Sequence, residues 1–201
     1  MYTPGFIYDK LLEPMLRRIK RRVAGIVSKY GLDSCLDVCC GTGVQCSFIE
    51  SRGTRVVGLD LDRKMLEFAA MKYPLIPFVC ADAAKAPFKP DAFRGLVISF
   101  ALHDKKEEMR TQIIRESANL IGESGYVVFV DFVKPWNFKS KIGYLFSYLI
   151  ERMAGGEHFR NGRQFLSAGG LDRFMLKSGI VVVERHDIAL GCLSVVLAKF
   201  G

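Results

Sequence analysis

The chain has 201 residues, half of them hydrophobic, with 29 Lys and Arg against 21 Asp and Glu for a net charge of +8. That length and apolar content suit one domain over residues 1–201 with a sizeable core, and leave no room for a second independent one. The apolar run from Ile142 to Ile150 is about half the roughly 20 residues that cross a bilayer, so no membrane span is expected.

Met-Tyr-Thr-Pro-Gly at the start lacks the basic-then-apolar order of a secretory signal, which predicts a cytoplasmic protein. Six cysteines, at 35, 39, 40, 46, 80 and 192, include no C-x-x-C pair. Zinc ribbons and thioredoxin-type sites need that pairing, so no metal centre is expected and the thiols read as small core residues.

In chain order, Phe6-Ile7-Tyr8-Asp9 comes first, a short aromatic lead that could fold over a ligand or pack as an N-terminal arm. Pro14 in a first turn and Gly31 past the end then bracket a helix with an apolar stripe of Met15, Leu16, Ile19, Val23, Ile26 and Val27. Residues 1–31 form this arm and helix, whose opposite face carries Arg17, Arg18, Arg21 and Arg22. From Lys10 to Lys29 there are seven basic residues and one acid. Such a segment could meet nucleic acid, an anionic membrane surface or an acidic substrate; a solvated helix face is the plainer alternative.

Cys35 to Val38 reads as a short buried strand emptying into the loop Cys39-Cys40-Gly41-Thr42-Gly43, after which Val44, Phe48 and Ile49 recur at helical spacing. Arg55 to Asp60 is a second strand ending in a carboxylate, and Asp62 starts a helix closed by Tyr73-Pro74. Pro77 to Cys80, leading to Ala81-Asp82-Ala83, is the third strand. Phe93 to Phe100, apolar on both faces as a central parallel strand is, is the fourth.

His103-Asp104-Lys105 precedes a helix from Lys106 to Leu120, and Tyr126 to Val130 is the fifth strand. The alternation breaks from Asp131 to Gln164, which holds the only tryptophan, an aromatic run from Tyr144 to Tyr148 and the segment Gly155 to Asn161. We take 132–165 as an inserted helical cap beside the strand ends. A helix over Leu171 to Leu176 leads to two strands, Ile180 to Glu184 and Cys192 to Ala198, close enough to pair antiparallel. The fold expected is α/β, a doubly wound Rossmann-like sheet of seven strands, mostly parallel with an antiparallel C-terminal hairpin.

Gly41 and Gly43 let the backbone turn sharply and approach a ligand closely, while the following helix offers N–H groups at its start. The dinucleotide fingerprint needs a third glycine where this chain has Cys46, so a pyrophosphate is disfavoured. Asp37, the small-residue loop and Asp60 are instead what a nucleoside with an amino-acid tail needs, because a strand-end carboxylate can accept two ribose hydroxyls. Taken singly, Asp37 could hold the loop, Asp60 cap a helix and Asp82 anchor a turn. Their coincidence at successive strand ends favours a ligand.

The stretch from about Leu36 to Val130 resembles the class I S-adenosylmethionine-dependent methyltransferases, in particular the group that includes the ubiquinone/menaquinone-biosynthesis enzymes. Leu36-Asp37-Val38-Cys39-Cys40-Gly41-Thr42-Gly43 is similar to the family's first motif, and Val57 to Asp62 with Met65-Leu66 to its second. Ala81-Asp82-Ala83 with Pro87-Phe88 is similar to the third and Phe93 to His103 to the fourth. A weaker echo lies in Gly155 to Asn161. The resemblance implies S-adenosylmethionine as cofactor, its methionyl end on Asp37, the backbone of Cys39, Cys40 and Gly41, and Ser99, with Gly43 in the same loop. It further implies ribose on Asp60, adenine against Leu61, and the adenine amino group on Asp82 beside the Ala83 N–H. Cys39 departs from the family, which usually has glycine there.

Methyl transfer from a sulfonium is an in-line displacement, so the protein mainly aligns donor and acceptor and excludes water. Where the acceptor is a hydroxyl or activated carbon a base helps, and His103 is the first candidate; the alternative is a histidine that merely hydrogen-bonds its loop. His158 and Arg160 could orient an acidic or phenolic substrate, or pair the cap with the core. The motifs that serve amino groups or pyrimidine carbons of nucleic acids are missing after the fourth strand, where Ser99-Phe100-Ala101-Leu102 stands. No nucleic-acid partner is therefore expected. The acceptor expected is small and partly apolar, quinone- or lipid-like, drawn from an anionic membrane surface by the basic helix. A nucleic-acid-directed methyltransferase, a nicotinamide-dependent oxidoreductase and a cofactor binder without turnover are the alternatives.

Overall fold

The structure, a computed structural model, describes residues 4–141, 143 and 156–201. One sheet of seven strands organises them: β1 (Ser34–Val38), β2 (Arg55–Asp60), β3 (Phe78–Cys80), β4 (Gly95–Ser99), β5 (Tyr126–Phe132), β6 (Ile180–Ile188) and β7 (Leu193–Phe200). Their order is β3-β2-β1-β4-β5-β7-β6, with β7 antiparallel to both neighbours and the other pairings parallel. The helices are α1 (Pro4–Lys29), α2 (Val44–Glu50), α3 (Arg63–Lys72), α4 (Glu107–Ile121), α5 (Gly156–Ser167) and α6 (Gly170–Lys177). Residues 138–141 are also helical. Among the described residues, no helix is long and apolar enough to cross a membrane.

Strand alternation divides the core into two layers. Leu36 and Val38, Leu96 and Ile98, and Val127 and Phe129 face α4, α5 and α6, meeting Ile113, Phe165, Leu171 and Met175. Cys35, Val97, Val128, Val195 and Leu197 face the other way, onto Ile19, Val23, Ile26 and Val27 of α1 and Cys46 and Ile49 of α2. The central strands are buried on both sides, which is why their sequences are apolar throughout. Strand order reverses between β1 and β4, and that switch opens a crevice at the C-terminal ends of the parallel strands.

Two glycines make the crevice possible. Gly43 has φ 71°, and a Cβ there would stand 2.7 Å from Phe78 Cζ; a Cβ on Gly58 would stand 2.5 Å from the same ring and 2.8 Å from Cys40 Sγ. The glycine loop thus lies directly on β2 and β3. At the opposite end, Glu184 of β6 accepts hydrogen bonds from Lys29 Nζ (2.6 Å) and Tyr30 Oη (2.8 Å), fastening α1 to the edge strand.

Three boundaries differ most from expectation. The first helix starts at Pro4, not near Pro14, because Ile7, Leu11 and Met15 continue the period of the stripe; Pro14 sits within it and forgoes one backbone bond. Phe6 to Asp9 is accordingly helical, and its side chains lie outside what the structure describes, as does the placement of residues 142 and 144–155 with the aromatic run. β5 continues through Asp131 and Phe132, paired to Ser194 and Leu193, so Asp131 belongs to the sheet and not to the inserted segment. Finally β6 reaches Ile188 by way of a bulge between Val182 and Glu184.

Candidate active site

The crevice holds a cavity of about 680 Å³. The turns after β1, β2 and β3 bring Cys39, Gly41, Asp60, Leu61, Asp82 and Ala83 to its wall, six of the residues picked from the sequence. Asp60 Oδ2 accepts the Gly41 N–H at 2.8 Å and Oδ1 accepts the Asp62 N–H at 2.9 Å, so the acid both shapes the glycine loop and keeps lone pairs for a ligand. It does not cap α3. Asp62 does, accepting from Lys64 N and Met65 N. Asp82 anchors its turn through Ala84 N (2.9 Å) while lining the cavity. Leu61 is 70% exposed and offers an apolar face.

Cys39 has φ 59°, the left-handed region. A glycine would adopt it freely, whereas an L-residue pays about 1 kcal/mol or more, which explains why the usual residue at this turn lacks a Cβ. Burial pushes the Cys39 thiol up to about 12, so it is not a nucleophile at neutral pH. Of the other thiols, Cys35, Cys46 and Cys192 are buried core residues, Cys40 is half-buried, and Cys80 is exposed at the end of β3.

Asp37, Cys40, Gly43, Ser99 and His103 stand behind the wall and not on it. Gly43 is buried under Phe78. Asp37 is 1% exposed on the α1–α2 side, one residue short of the strand end, and accepts from Cys46 Sγ at 3.2 Å. The neighbouring Cys40 thiol, then burial, raise the Cys46 thiol and keep it protonated as that donor. Burial raises the Asp37 carboxyl to about 7 from its ordinary 3.8. The sign follows from linkage: between pH 4 and 7 the folded chain holds a proton that the unfolded chain has released. Stability therefore falls as pH rises through that window, by up to about 4 kcal/mol. Urea midpoints from pH 4.5 to 8 should show Asp37→Asn free of this slope and most stabilised, relative to the native chain, above pH 7. Parallel curves for the two proteins would contradict it.

Ser99 Oγ, at the end of β4, is buried with no hydrogen-bond partner among the described residues. His103 is 3% exposed; its Nδ1 lies 2.8 Å from Asp131 Oδ1 and its ring meets Phe132 edge-on at 4.9 Å. Asp131 was not singled out from the sequence. It is fully buried and also accepts from Leu102 N (3.1 Å), His103 N (3.2 Å) and Phe132 N (2.8 Å), so one carboxylate holds the whole turn after β4. An acid inside the apolar run Val127 to Val133 is the signal that could have revealed it.

The far wall is built by Phe100, Ala101, Met109 and Ile113, with Lys105 and Asp104 beside them. From α5, Glu157 and Asn161 reach the cavity; Arg160 is exposed and does not line it, and the His158 side chain lies outside the described residues. Asn161 Nδ2 donates to Asp104 O at 2.7 Å, and Arg110 Nε donates to Leu102 O at 2.7 Å while its guanidinium lies 4.6 Å over the Phe165 ring. These bonds join α5 to the β4–α4 turn. Arg110 was legible as a charge on the apolar stripe it shares with Ile113, Ile114 and Ser117.

A doubly wound sheet with β7 reversed, whose glycine loop and strand-end acids converge on one cavity, defines the class I methyltransferase architecture. The sequence pattern of a family described as a methyltransferase domain matches residues 35–125. An uncharacterized methyltransferase of Synechocystis is 28% identical over 164 residues, covering 82% of this chain and 74% of that protein. A demethylmenaquinone methyltransferase of Renibacterium salmoninarum is 30% identical over 127 residues, 63% of this chain and 53% of that protein. In fold, the chain is similar to a SAM-dependent methyltransferase from Aquifex aeolicus, with a TM-score of 0.62 at 16% identity, covering 99% of this chain and 100% of that one. The chain carries a methyltransferase domain over residues 35–125 and has the fold of S-adenosylmethionine-dependent methyltransferases. S-adenosylmethionine is the cofactor that family and fold imply, and the cavity with the spare lone pairs of Asp60 on its wall fits a nucleoside.

Proposed function

We propose that the protein methylates a small, apolar acceptor of quinone or lipid type. The observation that carries this reading is one cavity lined both by the strand-end acids Asp60 and Asp82 and by the apolar side chains of Phe100, Ala101, Met109 and Ile113, with Asp104, Lys105, Glu157 and Asn161 also on its wall. The likeness to a demethylmenaquinone methyltransferase, of which this chain spans about half, points the same way.

In this reading Asp60 accepts the ribose hydroxyls, Leu61 lies against the adenine, and Asp82 with the Ala83 N–H reads the adenine edge. The Cys39 to Gly41 backbone faces the methionyl tail, with Ser99 and Asp37 behind the loop and the Asp37 carboxyl hydrogen-bonded to Cys46. Bound there, the cofactor supplies an electrophilic sulfonium methyl group. The apolar wall excludes water and holds the acceptor in line, which is most of what this chemistry asks of a protein.

His103 is the candidate base, one that stands behind the cavity wall and must be reached through the turn after β4. A carboxylate at Nδ1 fixes the proton there and makes Nε2 the basic nitrogen, the arrangement a proton-accepting imidazole needs. Two tests decide the reading. Calorimetric titration with S-adenosylhomocysteine should give micromolar binding, with none for NAD; failure to bind at millimolar levels removes the cofactor site. Turnover with labelled cofactor should then methylate a short-chain demethylated quinol in preference to RNA or DNA. Preference for nucleic acid would remove the acceptor class.

A further inference from the structure

The edge of the sheet that opens the cavity also carries the most exposed aromatic side chains of the described residues. β5 ends at Phe132, and β6, which runs in the same direction, ends at Ile188; the segments that follow, Val133 to Lys141 and Ala189 to Gly191, therefore lie at the same edge as the crevice. Trp136 and Phe138 are 75% and 77% exposed, and Leu190 is exposed on the adjoining turn. The two segments lie side by side: a Cβ on Gly191 would stand 3.9 Å from Trp136 Nε1 and 3.7 Å from Ser140 Cβ. They form one apolar patch.

The patch is held out by polar bonds and not by burial of its rings. Ser140, with no exposed surface, accepts from the N–H groups of Trp136 and Asn137 through its hydroxyl, while its own N–H donates to Asn137 Oδ1 at 2.7 Å. This capped turn fixes the backbone from Trp136 to Ser140 and leaves the two rings in solvent. Around them stand Lys134, Lys139 and Lys141, all exposed, and from Phe132 to Ile150 the sequence contains no acid.

We propose that this face docks on an anionic lipid surface, Trp136, Phe138 and Leu190 entering the acyl boundary and the three lysines meeting the headgroups. A tryptophan and neighbouring apolar side chains ringed by lysines suit that boundary, where one side of the contact is apolar and the other wet and negatively charged. The basic stripe of α1 is less suited to share this contact. α1 ends beside the start of β1 and runs back along one face of the sheet, so Arg17, Arg18, Arg21 and Arg22 look sideways from the edge that carries the patch. Docking by the patch turns the cavity mouth toward the membrane. This deepens the acceptor reading above, since an apolar acceptor is drawn from lipid, yet the surface is tested without turnover.

Trp136 is the only tryptophan, so its emission reports on this site alone. With the full chain, vesicles of mixed phosphatidylglycerol and phosphatidylcholine should shift that emission to the blue, and lipids brominated in the acyl chain should quench it. Pure phosphatidylcholine should do much less. In co-sedimentation, the Phe138→Ala, Leu190→Ala double variant should lower partitioning by about tenfold or more, and each Lys→Gln change by roughly fivefold. Thermal midpoints near the native value would show that all these variants fold. Binding that leaves the emission unshifted and unquenched, or that falls only when the arginines of α1 are replaced, overturns the proposal, as does the absence of any preference for anionic vesicles. Docking without methylation of a quinol would leave this surface standing and remove only the acceptor class.

Discussion

Replacing Asp60 with alanine should weaken binding of S-adenosylhomocysteine by about a hundredfold or more. In the proposed site the carboxylate takes two ribose hydroxyls, and hydrogen bonds to a charged group contribute about 1.5–3 kcal/mol each. The same change removes the acceptor of the Gly41 N–H, loosening the loop that the cofactor tail must meet. Asp60→Asn separates the two effects: its remaining oxygen can still hold Gly41, so the loop stays while part of the ribose grip is lost, and binding should fall by about tenfold. Calorimetry reads both. An Asp60→Ala protein that binds within threefold of the native one would place the ribose elsewhere.

The second large effect is expected at Asp131, where stability and turnover should separate. Asp131→Ala strips the acceptor from Leu102 N, His103 N and His103 Nδ1 at once in a site with no access to solvent, at a cost of about 3–5 kcal/mol. For a chain of this size that lowers the melting midpoint by roughly 10 °C. Asp131→Asn retains one oxygen and should cost much less stability. It nevertheless releases the His103 ring from the tautomer that a carboxylate enforces, so turnover should fall by about a hundredfold if His103 is the base. Unchanged turnover in a stable Asp131→Asn protein would reduce the pair to a structural clamp on the turn after β4.

The local signals in the sequence were strong where neighbouring residues carry them. β2 occupies Arg55–Asp60 as its alternation and flanking turn suggest, and Asp62 caps α3 through its own side chain. The four elements around the glycine loop follow from short-range chemistry alone. What escaped depends on contacts far apart in the chain. The far wall is closed by α4 and α5, whose approach is set by Asn161 on Asp104 and Arg110 on the Asn161 carbonyl, bonds spanning 57 and 51 positions. The alternation reads as broken from Asp131 because a carboxylate in a buried strand contradicts the usual preference; the amides of the turn after β4, 28 and 29 positions away, make it tolerable. Asp37 shows a subtler limit. Being the fourth of five residues in β1, it points with Cys35 toward α1 and α2, so an acid near a strand end need not reach the crevice that the strand feeds.

The reversed strand also has a bearing on how the chain assembles during synthesis. β7 is threaded between β5 and β6 although it follows both, and it supplies Val195 and Leu197 to the layer beneath α1. Until it leaves the ribosome, the valine-rich rim of β5 has no partner and the oily stripe of the first helix has only part of its seat. Pairing over so long a stretch of chain is slow, and open strand rims invite association between nascent molecules. A truncation before Leu193 would therefore yield aggregates in the cell, not a smaller working enzyme.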